Sequence, residues 1–235
     1  QTEKDSFYVT VGLWQAGQNR IFIDCNVQSP ADMLSPGRIG MTAILPVRFT
    51  AMKWYGKGPL ETYPDRQCGG RMGVYSEDVR NQPFYLRPQE YGLHTESRSM
   101  RLTDPDRADF VRFEAACPMA MSAVPYSDLQ LWNARHPFEL PAPEALYVHL
   151  DYAHRGLGNS SCGPDVLPTY RIDDRPCRFG FALEAGLGER EDNPFGPIPE
   201  EIPAYHPWKA VGEQDRTPSY RDPSDPDQRS NAGMV

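Results

Sequence analysis

The sequence predicts an all-β sandwich. Short apolar runs recur roughly every 8–14 residues, and most alternate with period two, the signature of half-buried strands. Only one stretch supports a helix. The 24 prolines and 19 glycines punctuate these runs too often for a helical protein.

Residues 7–13 (FYVTVGL) alternate loosely and residues 20–27 (RIFIDCNV) cleanly, with Gly17-Gln18-Asn19 between them as a hairpin turn. Residues 39–49 form a third run, in which Pro46 marks an edge position or a bulge. Residues 52–55 lead into the turn Gly56-Lys57-Gly58-Pro59, and further strands are expected at 72–75, 84–86, 97–102, 109–116 and 119–124. Residues 126–135 (YSDLQLWNAR) form the one helix, with Ser127 as N-cap, Leu129 and Leu131 facing inward, and His136-Pro137 as its stop. The strand at 146–151 then carries Leu146, Val148 and Leu150 on one face and Tyr147, His149 and Asp151 on the other. It delivers a glycine-rich polar loop, and residues 177–183 (CRFGFAL) close the series.

Composition changes at Glu184. From there to Val235 the chain is acidic and proline-rich without apolar periodicity, so the expected organisation is a domain over 1–183 and an extension over 184–235. Large apolar residues lead us to expect packing of 194–208, with 214–235 loose. The chain opens on Gln1 with no signal-peptide pattern and reads as a processed product, a cut piece or a fragment.

A net charge of −8 and a pI near 5.2 argue against nucleic-acid and anionic-membrane partners, which need a basic surface. No apolar run approaches the roughly 18–20 residues of a membrane span. The five cysteines, Cys25, Cys68, Cys117, Cys162 and Cys177, are odd in number and contain no CxxC pair. They support neither a disulfide scaffold nor a zinc site, and reduced thiols favour the cytoplasm. Neither HExxH, a P-loop, GxGxxG nor GxSxG occurs. Asn159-Ser160-Ser161 is a formal glycosylation acceptor of little weight.

Three polar blocks could carry chemistry. In GPLETYPDR (58–66), Glu61, Asp65 and Arg66 could orient sugar hydroxyls around Tyr63, but an internal Arg–carboxylate pair locking the turn is the commoner arrangement. In RPQEYGLHTESR (87–98), Glu90, His94, Glu96 and Arg98 offer an acid–base pair of His with Glu, although loop spacing does not set its geometry. The densest cluster is Tyr147, His149, Asp151, His154 and Arg155, whose aromatic and hydrogen-bonding groups suit a sugar.

Read together, GPLETYPDR, PQEYGLHTESR and LDYAHRGLGNSSCGPDVLPTYR, with YSDLQLWNARH between the second and third, resemble the C-terminal β-sandwich (domain 5, small-chain) region of glycoside hydrolase family 2 β-galactosidases. The resemblance covers roughly residues 7–183. It implies a supersandwich of the galactose-mutarotase-like type, here N-terminally incomplete, within an enzyme that hydrolyses terminal β-galactosides such as lactose with retention. Retention needs two carboxylates about 5 Å apart. In this family they sit on a (β/α)₈ barrel of about 250 residues, which also carries the metal sites, commonly Mg and Na or K. The resemblance therefore implies no catalytic residue, metal ligand or cofactor in this chain. Its partners would be the remainder of the enzyme, the galactoside, and other copies in an oligomer.

The resemblance also implies that Tyr147 stands against the sugar where family members can carry tryptophan, with Asp151 and His154 as further substrate-side candidates. Tyr91 replaces an asparagine usual in the second block, and the extension from Glu184 has no counterpart. Two alternatives remain open at this stage. One is a free-standing mutarotase-like epimerase using His154 or His149 with Glu90 or Glu61 as acid and base; the other is a lectin-like carbohydrate-binding module.

Overall fold

The computed structural model describes residues 7–30, 35–83, 85–158, 163–173 and 175–188. These lie within the unit Gln1–Ala204, and the second unit, Tyr205–Val235, falls outside the described residues. Asn159, Cys162 and the stretches 194–208 and 214–235 are outside them as well.

Among the described residues nine strands form in chain order: β1 (Tyr8–Gln15), β2 (Arg20–Gln28), β3 (Arg38–Pro46), β4 (Ala51–Gly58), β5 (Arg71–Asp78), β6 (His94–Thr103), β7 (Phe110–Val124), β8 (Ala145–His154) and β9 (Cys177–Gly186). Every pairing is antiparallel, in the order β1-β2-β9-β7-β6-β4-β5, with β8 and β3 branching from β7. The all-β class is therefore observed, with one short helix, α1 (Asp128–Asn133).

The branch follows from the length of β7. Two runs expected as separate strands, 109–116 and 119–124, are one strand of 15 residues. Its first part pairs with β9 (Phe110 with Gly186, Ala115 with Phe181), its last part with β8 (Ala120 with Asp151, Val124 with Tyr147). Between them the register against β6 jumps from Ser99↔Glu114 to Ser97↔Met119. The extra residues include Pro118, which has no N–H to give a ladder, so the strand bends there and changes partners.

Because of the bend, the β2–β9 layer and the β3–β8 layer face each other. Cys25 Sγ on β2 lies 3.3 Å from Met41 Sδ on β3, and the Tyr152 ring on β8 stacks on Phe179 of β9 with centroids 5.6 Å apart. Met52, Trp54, Met100, Leu102, Phe113, Met121, Leu146, Val148, Leu150 and Phe181 fill the space between. The expected hairpin closes at Gly17, whose φ of 129° suits glycine alone, and Ala16 N donates to the Arg20 carbonyl at 2.8 Å. On β1, Val9, Val11 and Leu13 pair with the buried Val27, Cys25 and Ile23 yet are themselves exposed. The apolar core face thus runs on past the opposing layer.

Three further expectations need correction. The expected turn Gly56-Lys57-Gly58-Pro59 is strand as far as Gly58, since Gly56, Lys57 and Gly58 pair with Gly73, Met72 and Arg71 of β5. Tyr85 and Leu86 belong to no strand, and Leu86 is almost fully exposed. The helix is only six residues long; Ser127 caps it in a capping box with Gln130, but Leu131 alone of its residues is buried, and Leu129 points to solvent. Six residues give less than two turns, so only one apolar position can face the sheet.

Phe181 lies edge-on to Phe113 with centroids 6.3 Å apart in the centre of this core. Phe181→Ala should therefore lower the unfolding free energy by about 3–5 kcal/mol. Urea titration followed by fluorescence measures this, and a loss below about 1 kcal/mol would mean the two layers do not close on this ring.

Candidate functional site

Strand β8 brings the third block onto the face of the β3–β8–β7 layer opposite the core. Leu146, Val148 and Leu150 point into the core; Tyr147, His149 and Asp151 point away from it. Simple alternation would put His154 with the leucines. A bulge prevents this: the register against β3 runs Gly40↔Asp151 and then Ile39↔Ala153. The extra residue in β8 lets both Tyr152 and Ala153 pack against the core, so His154 joins Asp151 and His149 on the polar face, paired with Arg38, which alternation along β3 already places there with Gly40 and Thr42. Gly40 makes room, since a Cβ there would collide with Asp151 Oδ1 and the Leu150 carbonyl.

The first two blocks lie over this face. Tyr63, Leu93 and Ala120 form one small apolar cluster with Leu157; Tyr91, Val124 and Leu131 form another, against which Tyr147 packs half-buried. Polar contacts tie the blocks together. Glu61 pairs with Arg66 and accepts from Gly92 N at 2.7 Å and Tyr85 Oη at 2.5 Å. Asp65 accepts from Leu157 N at 3.0 Å and Gly158 N at 2.6 Å, joining the first block to the third. The expected internal Arg–carboxylate lock is present as Glu61–Arg66. Arg98 pairs locally with Glu96 at 3.6 Å.

Arg38 is the hub between these layers. Its Nη2 donates to Glu90 Oε2 at 2.5 Å and lies 3.4 Å from Asp128 Oδ1, while Nη1 faces Asp151 Oδ2 at 3.9 Å. Tyr63 Oη donates to Glu90 Oε1 at 3.4 Å, and His154 Nε2 stands 3.8 Å from the same oxygen. His154 Nδ1 donates to the Arg155 carbonyl at 2.6 Å. His149 Nδ1 meets Thr42 Oγ1 at 3.1 Å and its Nε2 lies 3.6 Å from Asp128 Oδ1.

Burial governs the protonation of this cluster. It raises the carboxyl pKa of Asp151 far above the ordinary range, against the opposing pull of Arg38, and it raises that of Glu90 as well. It pushes both imidazoles down, His149 to about 4 and His154 to about 4, with the Arg38 charge adding to the effect. At neutral pH both imidazoles are neutral, Asp151 and Glu90 are buried carboxyls whose pKa is raised, and the Arg38 guanidinium stands among acidic groups. Among the described residues no group of three or more His, Cys, Asp or Glu is arranged to hold a metal ion. The densest acidic set, Glu90, Asp128 and Asp151, closes on Arg38 instead.

The sequence-assigned residues divide accordingly. Asp151 and His154 meet in one network with Glu90 and Tyr63, whereas Tyr147 stands further along β8, beyond His149. Asp151 is 1% exposed. His94 does not pair with Glu90 or Glu96: it is buried on β6, stacked on Trp54 with centroids 3.9 Å apart, and its Nε2 lies 3.6 Å from Glu77. Sequence reasoning passed over Arg38, Thr42 and Asp128. A lone basic residue opening an apolar strand after Pro36-Gly37 was the one available signal for Arg38.

The family described as beta galactosidase small chain matches residues 5–183. A beta-galactosidase of Bifidobacterium adolescentis is 35% identical over 175 residues, 72% of this chain and 16% of that protein. One from Arthrobacter sp. strain B7 is 33% identical over 168 residues, 68% of this chain and 16% of the relative. Another from Staphylococcus xylosus is 31% identical over 156 residues, 65% and 16%. The chain spans about 16% of the length of these relatives.

Two outcomes follow from the geometry. An imidazole with a folded pKa near 4 stays neutral where an unfolded histidine, near 6.5, takes a proton. The unfolded state therefore gains more protons as pH falls from about 6.5 to 4, and His154 withdraws up to about 3 kcal/mol of stability over that window. Asp151 and Glu90 act in the opposite sense, because their raised folded pKa values favour the folded state at low pH. Urea unfolding across pH 4–7 should show a shallower acid-side loss for His154→Gln than for the wild type; equal slopes would contradict a neutral buried His154. Independently, Gly40→Ala should cost about 1–3 kcal/mol by displacing Asp151, and thermal unfolding unchanged within a degree would remove the bulge from the network.

Proposed function

The chain belongs to the beta galactosidase small-chain family, and from that premise we propose that it is the non-catalytic β-sandwich module of a retaining family 2 β-galactosidase, shaping the cleft in which terminal β-galactosides such as lactose bind. The observation that carries the reading is the way three blocks close on one face of β3, β8 and β7. That face is a wall closed by contacts among the three blocks, with Arg38 set among Glu90, Asp128 and Asp151.

In this proposal the nucleophile, the acid/base and the Mg and Na or K sites belong to a barrel outside this chain. Tyr147 is the sugar-side contact: its ring offers a face for the C–H surface of the galactosyl group while its hydroxyl can bond. Asp151 and His154 lie behind it on the same strand face and set that wall through Arg38 and Glu90. Other copies of the enzyme, in an oligomer, are further partners on this reading.

One contact favours a second reading. His154 Nε2 faces Glu90 Oε1 at 3.8 Å, the combination a mutarotase-like epimerase would use to open a sugar ring. The first reading has the stronger support, since Glu90 is already engaged by Arg38 and Tyr63, and the His154 side chain is 6% exposed. A coupled assay of α-to-β galactose interconversion should show no rate above buffer; a clear rate would replace the first reading by the second.

Complementation tests the first reading directly. Mixed with the Bifidobacterium adolescentis enzyme from which the matched region is deleted, this chain should restore hydrolysis of a chromogenic galactoside. No restored hydrolysis would count against the module. In the restored enzyme Tyr147→Ala should raise KM several-fold, roughly, with kcat changed less, as for loss of binding shared by ground and transition states. An unchanged KM would remove Tyr147 from the cleft.

A further inference from the structure

Helix α1 and the turn that follows it turn most of their large apolar side chains outward. Leu129 is 66% exposed, Trp132 85%, Phe138 82%, and Leu86 of the facing loop 92%. Leu129 and Trp132 are three apart on the helix and so share a side of it. The Phe138 ring stacks on His136 with an interplanar angle of 12°. Between helix end and loop lies an open cavity of about 580 Å³ lined by Leu86, Arg87, Arg135 and His136.

The charge of this face runs against that of the chain. Net charge is −8, yet the cavity carries two guanidiniums and an imidazole. Among the described residues neither Arg87 nor Arg135 has an ion-pair partner. Of the nearby acids, Glu139 accepts from the Arg135 backbone N at 2.8 Å and leaves both guanidiniums without an ion pair, while Asp128 faces Arg38 and His149. Exposed tryptophan, phenylalanine and leucine around unpaired arginines match the composition of a protein-binding centre rather than of bulk surface.

Resting on the module reading above, we infer that the Leu86–Trp132–Phe138 face is the docking surface for the remainder of the β-galactosidase, and that it receives a segment carrying carboxylates beside an apolar side chain. Charge complementarity selects an acidic occupant, since a second copy would bring the same guanidiniums against these. The relatives extend over about six times the length this chain matches, which supplies the partner surface. Docking here also bears on the wall itself, because Asp128, at the start of the same helix, reaches Arg38 and His149.

The test uses the full chain, the Bifidobacterium adolescentis enzyme lacking the matched region as probe, and binding followed by sedimentation and by Trp fluorescence. Wild type should bind, less tightly as salt is raised. The double variant Trp132→Ser/Arg135→Glu and the separate variant Arg87→Glu should each weaken binding at least about ten-fold, with circular dichroism unchanged. The separate variant keeps the outcome readable if the double one does not fold. Wild-type binding that neither variant weakens would overturn this surface and leave the module reading standing. No binding by wild type would overturn both. Self-association of the chain alone that the variants abolish would overturn the choice of occupant.

Discussion

The contact between Arg38 and Glu90 holds the polar half of this molecule to the apolar half. Arg38 opens β3, an edge strand of the sandwich, and Glu90 sits in the loop that crosses the outer face of the β3–β8–β7 layer. Both side chains are largely removed from water. Taking two such charges out of water is repaid only when geometry and further hydrogen bonds are good. Tyr63 supplies one to Glu90 from the first block, His154 of the third block packs with Nε2 3.8 Å from the same carboxylate, and Asp128 adds a second carboxylate from the helix. Loss of one partner would leave an uncompensated buried charge, so the blocks depend on one another although they are far apart in sequence.

That dependence explains the chemistry of the face. A guanidinium already stands in the cluster, so protonation of His149 or His154 would add a like charge in a poorly solvated place, and both imidazoles stay neutral. Burial acts on Asp151 in the complementary direction, raising its carboxyl pKa against the attraction of Arg38. Buried in this way, these groups orient and fill rather than meet solvent.

The sandwich supplies the rigidity beneath this face. One long strand, β7, belongs to both layers, and its bend near Pro118 turns the β8 branch back over β9. The same β8 that closes the core with Leu146, Val148 and Leu150 displays the polar face on its other side. Movement of the wall therefore requires movement of the core. The loops above it are held by backbone amides given to Glu61 and Asp65, which is why the glycines of the second and third blocks lie where carboxylates approach the chain.

Much of this was legible in the residues. Alternation, turn glycines and the prolines were enough for the all-β class, most strand positions, the β1–β2 hairpin and the Ser127 cap, because each depends on a few neighbouring residues. The three blocks were legible as a family resemblance, and the Glu61–Arg66 lock as local chemistry. Alternation could not reveal the bulge at Tyr152, and with it the transfer of His154 to the face of Asp151, since a bulge is set by the pairing of two strands more than a hundred residues apart. Nor could it reveal that His94 prefers Trp54 to a glutamate, or that Leu129 and Trp132 face outward, because these choices depend on what lies across the sheet. Local order was written in the sequence; which polar groups meet, and in which protonation state, was decided by the register and burial that only the folded chain creates.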